Sequence, residues 1–159
     1  MKKMQGVATV EFAIVGAVLL TVIFGCLEFG RLTYTLAALN EGTRRAARLA
    51  AVCPINDPVI APAVNFAGLA GFNGATVGNG GNVDLQYLDA SGASLGGAPA
   101  VAAVKYVRVG IASGASSYQI PLFIPGLNLN ITSPAFTATL PAESLGLTVS
   151  GAATVLTPC

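Results

Sequence analysis

"MQGVATVEFAIVGAVLLTVIFGCLEFGR" occupies residues 4–31 and sets the architecture of the chain. Residues 12–27 form a run of 16 without a charge. Extended back to Val7, the run is 21 residues, interrupted only by Glu11. At the rise of an α-helix this is about the thickness of a bilayer core, roughly 30 Å. A carboxylate at that depth is costly unless it is paired or neutralised, so Glu11 calls for a partner.

Three readings of the segment compete. A secretory signal peptide would use Lys2 and Lys3 as its basic region, but its apolar run would be unusually long and contain an acid, and no clear A-x-A site follows. "IFGC" at residues 23–26 resembles a lipoprotein cleavage box only loosely, because Phe24 is bulky where that box takes a small residue. The third reading, a retained membrane helix over residues 7–27, meets neither objection. Charge does not fix its orientation. Lys2 and Lys3 flank one side, and Arg31, Arg44 and Arg45 flank the other with Glu28 and Glu41 among them. A short N-terminal tail favours an N-inside arrangement.

The remaining composition narrows the function classes. The chain has 159 residues, 53% hydrophobic and 9% charged, against about 25% charged in ordinary soluble domains. It belongs in a membrane, in an assembly, or in both. A net charge of +1 offers no basic field for phosphate contacts, which argues against nucleic-acid binding. There is no histidine, the commonest general base and transition-metal ligand. Cys26, Cys53 and Cys159 form no CxxC pair, so no metal site is expected. With no nucleophile-and-base constellation either, the sequence predicts a protein that is not an enzyme and carries no cofactor.

The helix is expected to continue past the membrane through residues 28–53. Leu32, Leu36, Leu39, Thr43, Ala46 and Ala50 recur at three- and four-residue steps and define one face. Glu41 precedes Arg44 and Arg45 at favourable helical spacings. Gly30 and Gly42 each weaken the helix, by up to about 1 kcal/mol. Pro54 ends it. "RRAAR" (44–48) reads either as a solvated face or as a contact for acidic partners or lipid headgroups.

Residues 54–159 read as a glycine-rich loop followed by a small antiparallel β domain. "GLAGFNGATVGNGG" (68–81) has six glycines in 14 residues and no Walker lysine, so a mobile surface loop is expected rather than a phosphate loop. "NVDLQYLDASGASL" (82–95) reads as a strand turning at Asp89–Gly92. "AVKYVRVGIA" (103–112) is the best strand, with Val107, Val109 and Ile111 on one face and Tyr106 and Arg108 on the other. "SYQIPLFI" and "LNITSPAFTATL" read as further strands, confined to edges or ends by Pro121, Pro125 and Pro134. "GLTVSGAATVL" (146–156) is expected to close the sheet. The predicted class is α+β: a long N-terminal helix packed against a small antiparallel sheet.

"G-VATVEF" at residues 6–12 resembles the processing site of type IV prepilin-like precursors. The continuation "FGCLEFGRLTYTLAALNEGTRRAARLAA" (24–51) is similar to TadE-like proteins, the pseudopilins of the Tad (Flp) pilus system. Residues 6–52 carry nearly all of this resemblance. It implies that residues 1–6 are a leader, cut between Gly6 and Val7 by a prepilin peptidase on the cytoplasmic side. The freed amine of Val7 would then lie one helical turn from Glu11, which would pair with it on the same or an adjacent subunit. The competing reading of Glu11 is an acid tolerated at the membrane edge. The resemblance further implies an inner-membrane protein with a cytoplasmic N-terminus and a periplasmic C-terminal domain. Its partners would be other pilins or pseudopilins and Tad assembly proteins. The alternative is an unprocessed single-pass envelope protein that displays its β domain for binding.

A periplasmic domain would place Cys53 and Cys159 in an oxidising compartment. They would form a bridge, remain free thiols, or pair with another chain. Cys26, within the apolar run, reads as a small packing residue.

Overall fold

The computed structural model describes residues 5–123, 129–150 and 153–159. Met1–Met4 of the expected leader and Pro125 lie outside the described residues. A single helix, α1, runs from Gln5 to Val52. Its 48 residues make it about 72 Å long at the standard rise. Among the described residues its buried face lies in the second half. Thr35, Ala38, Leu39, Thr43, Ala46, Ala47, Ala50 and Ala51 are buried, and Leu32 and Leu36 pack at the margin. This is the face that the three- and four-residue spacing marks, and it repeats because 3.6 residues make one turn.

Small residues dominate that face, and Gly42 shows why. A β-carbon there would stand 2.1 Å from the Val64 carbonyl oxygen. The 3-10 turn Pro62–Asn65 therefore lies directly on the helix backbone. The glycine weakens the isolated helix, but close packing in the folded chain requires it.

The head, which follows α1, carries seven strands among its described residues: β1 (Val83–Leu88), β2 (Tyr106–Ile111), β3 (Gln119–Leu122), β4 (Leu129–Thr132), β5 (Thr137–Pro141), β6 (Leu147–Ser150) and β7 (Ala153–Leu156). The antiparallel sheet β1-β2-β5 packs on α1. Its register sets Val83 opposite Ile111, Leu85 opposite Val109 and Tyr87 opposite Val107. Ala138 and Leu140 continue the same face from β5. Val107, Val109 and Ile111 are buried, whereas Tyr106 is exposed on the reverse face, as the period of two requires. The architecture is α+β: one long apolar N-terminal helix with small antiparallel sheets.

Two expectations are corrected. Residues 146–156 do not close the sheet; β6 and β7 form a separate hairpin, as do β3 and β4. The cause lies at the end of α1, whose last carbonyls have no partner within the helix. Ala51 O accepts the Glu143 and Leu145 amides, and Val52 O accepts the Gly146 amide and the Ser144 hydroxyl. Gly146 makes this approach at φ +77°, a conformation suited to glycine, and a β-carbon there would strike Pro54. The chain is thus drawn to the helix end and away from the edge of β5. The β6–β7 hairpin then leads to Cys159, which forms a disulfide with Cys53, Cα atoms 5.7 Å apart.

The glycine-rich stretch 68–81 also differs from a loose loop, because it is tied into the head. Phe72 is buried and meets Tyr118 edge-on, centroids 5.1 Å apart, while the Tyr118 hydroxyl donates to Ala70 O. Asn73 and Asn82 bond across its base. Glycine count signals the turns, but these few anchoring side chains determine how the segment packs.

Candidate functional site

The first half of α1 presents an unusual surface. Thirteen large apolar side chains between Val7 and Phe29 are at least 45% exposed, among them Phe12, Leu19, Leu20, Phe24 and Leu27. They surround the helix on all sides, so no single stripe accounts for them. The most apolar window has a mean hydropathy of 2.4, and none of it is buried within the chain. Keeping so many side chains in water would cost on the order of 10 kcal/mol or more, comparable to the whole net stability of a domain. This exposed part of α1, from Val7 to Phe29, is the shaft of the molecule. The helix is long and apolar enough to cross a membrane.

Gly6 and Val7 lie in the first turns of α1. Glu11 is exposed one turn beyond Val7, and Val7, Val10, Glu11 and Ile14 line one shallow patch. Among the described residues Glu11 makes no ion pair. Cys26 is a free, exposed thiol on the shaft. The structure thus brings Cys53 and Cys159 together, sets Glu11 near Val7, and leaves both of these groups far from the head.

A collar forms where the shaft meets the head, and it draws on residues that the sequence reading did not single out as a site. Arg31 Nη2 lies 2.5 Å from Glu28 Oε1, and the same guanidinium donates to the Pro121 carbonyl. The Phe123 amide donates to Glu28 Oε1 at 3.1 Å. Arg31 also stacks over the Phe123 ring, 4.4 Å from its centroid. The Arg31 hydrogen bond holds the Glu28 carboxyl below its ordinary pKa; desolvation opposes this, and the Phe123 amide reinforces it. The i,i+3 acid–arginine spacing directly after an apolar run was the signal available in the sequence. Higher on the helix, Arg45 pairs with Glu41 at 3.1 Å and covers the Phe66 ring. Arg44 and Arg48 line an open groove with Ala138 and Leu140 of β5.

A recess of the head, about 520 Å³, is bordered by Asn56, Asp57, Pro62, Thr76 and Asn79. It offers one carboxylate and no base beside a nucleophile. Among the described residues no group of three histidine, cysteine or acidic side chains is placed to hold a metal. The shaft and its collar are therefore the features that set this chain apart.

Residues 6–48 match the family model of TadE-like protein. The TadE-like segment starts at Gly6, includes the whole shaft and the Glu28–Arg31 collar, and stops four residues before the end of α1. It takes in the buried helix face from Thr35 to Ala47, so the family match covers both the exposed and the packed halves of the helix. The β-rich head lies beyond it. No curated protein and no solved structure matches the chain.

Proposed function

We propose that this chain is a TadE-like minor pseudopilin, a membrane-anchored, non-enzymatic structural component in Tad (Flp) pilus assembly. The observation that carries the reading is the TadE-like match over a helix whose most apolar window is not buried within the chain. In this reading residues 7–27 span the bacterial inner membrane with the N-terminus cytoplasmic, and the head stands in the periplasm. A prepilin peptidase cuts between Gly6 and Val7. The new α-amine and the Glu11 carboxylate would each be costly alone in an apolar setting. Paired, they offset part of each other's desolvation and register one subunit against the next. Other pilins or pseudopilins and Tad assembly proteins are the partners.

The Glu11→Ala variant tests this role. It should insert into the membrane at least as well as the parent, because a buried charge is gone, yet fail to support pilus assembly. Normal piliation with Glu11→Ala would mean that the acid is only tolerated.

A further inference from the structure

The collar has a geometry that a pilin-like anchor alone does not require. Phe123 is 68% exposed at the end of β3, and Phe29 is equally exposed on the helix beside the collar residues. The Phe123 amide is fixed to Glu28, and Glu28 directly follows Leu27, the last residue of the uncharged run. Phe123 is thus held at the height where the shaft leaves its apolar surroundings. The chain around it is also unusual. Residues 109–142 contain no charged side chain, where an average stretch of 34 residues would hold about eight. The β3–β4 hairpin falls within this interval. The collar's own charges compensate each other through the Glu28–Arg31 pair, and Arg31 keeps further N–H donors for a phosphate.

We propose that Phe123 at the end of β3 seats in the interfacial layer of the phospholipid bilayer, making the collar a depth stop that fixes the head on the membrane surface. The inference rests on the membrane-spanning reading of the shaft. Between the apolar surface of the shaft and the exposed rings of Phe29 and Phe123 stand Glu28 and Arg31, which neutralise each other, and this continuity of uncompensated apolar surface selects lipid as the occupant. An aromatic ring at the headgroup level with an arginine stacked on it is a favourable interfacial pair.

The chain has no tryptophan, so a single introduced one reports alone. Phe123→Trp, at a site exposed enough to take the larger ring, is reconstituted as the full chain in phosphatidylcholine–phosphatidylglycerol vesicles. Part of the lipid carries bromine either near the headgroup or deep in the acyl chain. The expected result is blue-shifted emission that loses about half its intensity to shallow bromine and less to deep bromine. Leu20→Trp should be quenched most by deep bromine, and Val59→Trp, on the head, by neither. A Phe123→Trp signal unaffected by bromine while Leu20→Trp is quenched would overturn the depth stop and leave the span intact. A blue shift without quenching would place the ring against protein, such as a second copy, and would also overturn it. Loss of quenching at Leu20→Trp would instead refute the membrane span itself.

Discussion

One helix carries two surfaces built for different surroundings. From Val7 to Phe29 it exposes valine, leucine, isoleucine and phenylalanine on every side. From Thr35 to Ala51 it buries mostly alanine, threonine and glycine on one face, with Leu39 among them. Size runs opposite to the usual expectation, in which large apolar residues are the buried ones. In the upper half the sheet and the Pro62–Asn65 turn must approach the helix backbone, so small residues are selected. In the lower half none of the large apolar side chains from Val7 to Leu27 is buried among the described residues, and the segment is long and apolar enough to cross a membrane. Burial within one chain is therefore a measure of partnership, and exposed bulk locates the partner that is missing.

The comparison implies that damage to one half should leave the other intact. The largest effect is expected from the head's staple. Cys53→Ser should lower head stability by about 2–5 kcal/mol, because the bridge joins residues 106 apart and restricts the unfolded chain. Chemical denaturation of the parent and variant would measure it, and membrane insertion should not change. Recovery of both cysteines fully alkylated from non-reduced native protein would remove the basis of this expectation.

Leu20→Arg attacks the other half. A charge at the centre of the span should oppose insertion by about 3 kcal/mol on insertion scales. Fractionation should then find the chain outside the membrane, with its head still oxidised and folded. Loss of head folding would show that the halves are not independent.

Two glycines sharpen the contrast further. Gly42→Ala should destabilise the head by about 1–3 kcal/mol, since the added carbon meets the Val64 backbone. Gly30→Ala has nothing within 4 Å of its β-carbon and should stabilise the helix by up to about 1 kcal/mol. Thermal melts of the two variants should move in opposite directions.

The smallest effect lies at the collar between the halves. The folded-state pKa of Glu28 is depressed, first by its Arg31 hydrogen bond. Its contribution is therefore complete above the unfolded carboxyl value of about 4.3, and is lost as pH falls through the lower folded value. The Phe123 amide resonance should shift on acidification through that window, and Glu28→Gln should abolish the titration. An unchanged acid profile in Glu28→Gln would assign the shift to another group.

Much of this division was legible in the sequence. The uncharged run announces the shaft, and the spacing of Leu39, Thr43, Ala46 and Ala50 announces the buried face, because helical periodicity is a local property. The strand at Val107–Ile111 is equally local. Contacts made by distant segments were not legible. The cap of residues 143–146 on the helix end lies some 90 residues from its acceptors, and it draws the chain leading into β6 and β7 away from the sheet. Gly42 shows the same limit: propensity marks it as a weak point, and only the Val64 carbonyl explains it. At the candidate site, the E-F-G-R stretch was visible as a motif. That Phe123 completes it depends on a hydrogen bond spanning 95 residues.

The central proposal is that the shaft is the membrane anchor of a processed, TadE-like pseudopilin. N-terminal sequencing of the protein isolated from its native membranes tests it most directly. The account predicts a mature chain that begins at Val7, four residues before Glu11. A membrane-bound chain that still begins at Met1 would contradict processing, and would leave a single-pass protein displaying its head in place of a pseudopilin.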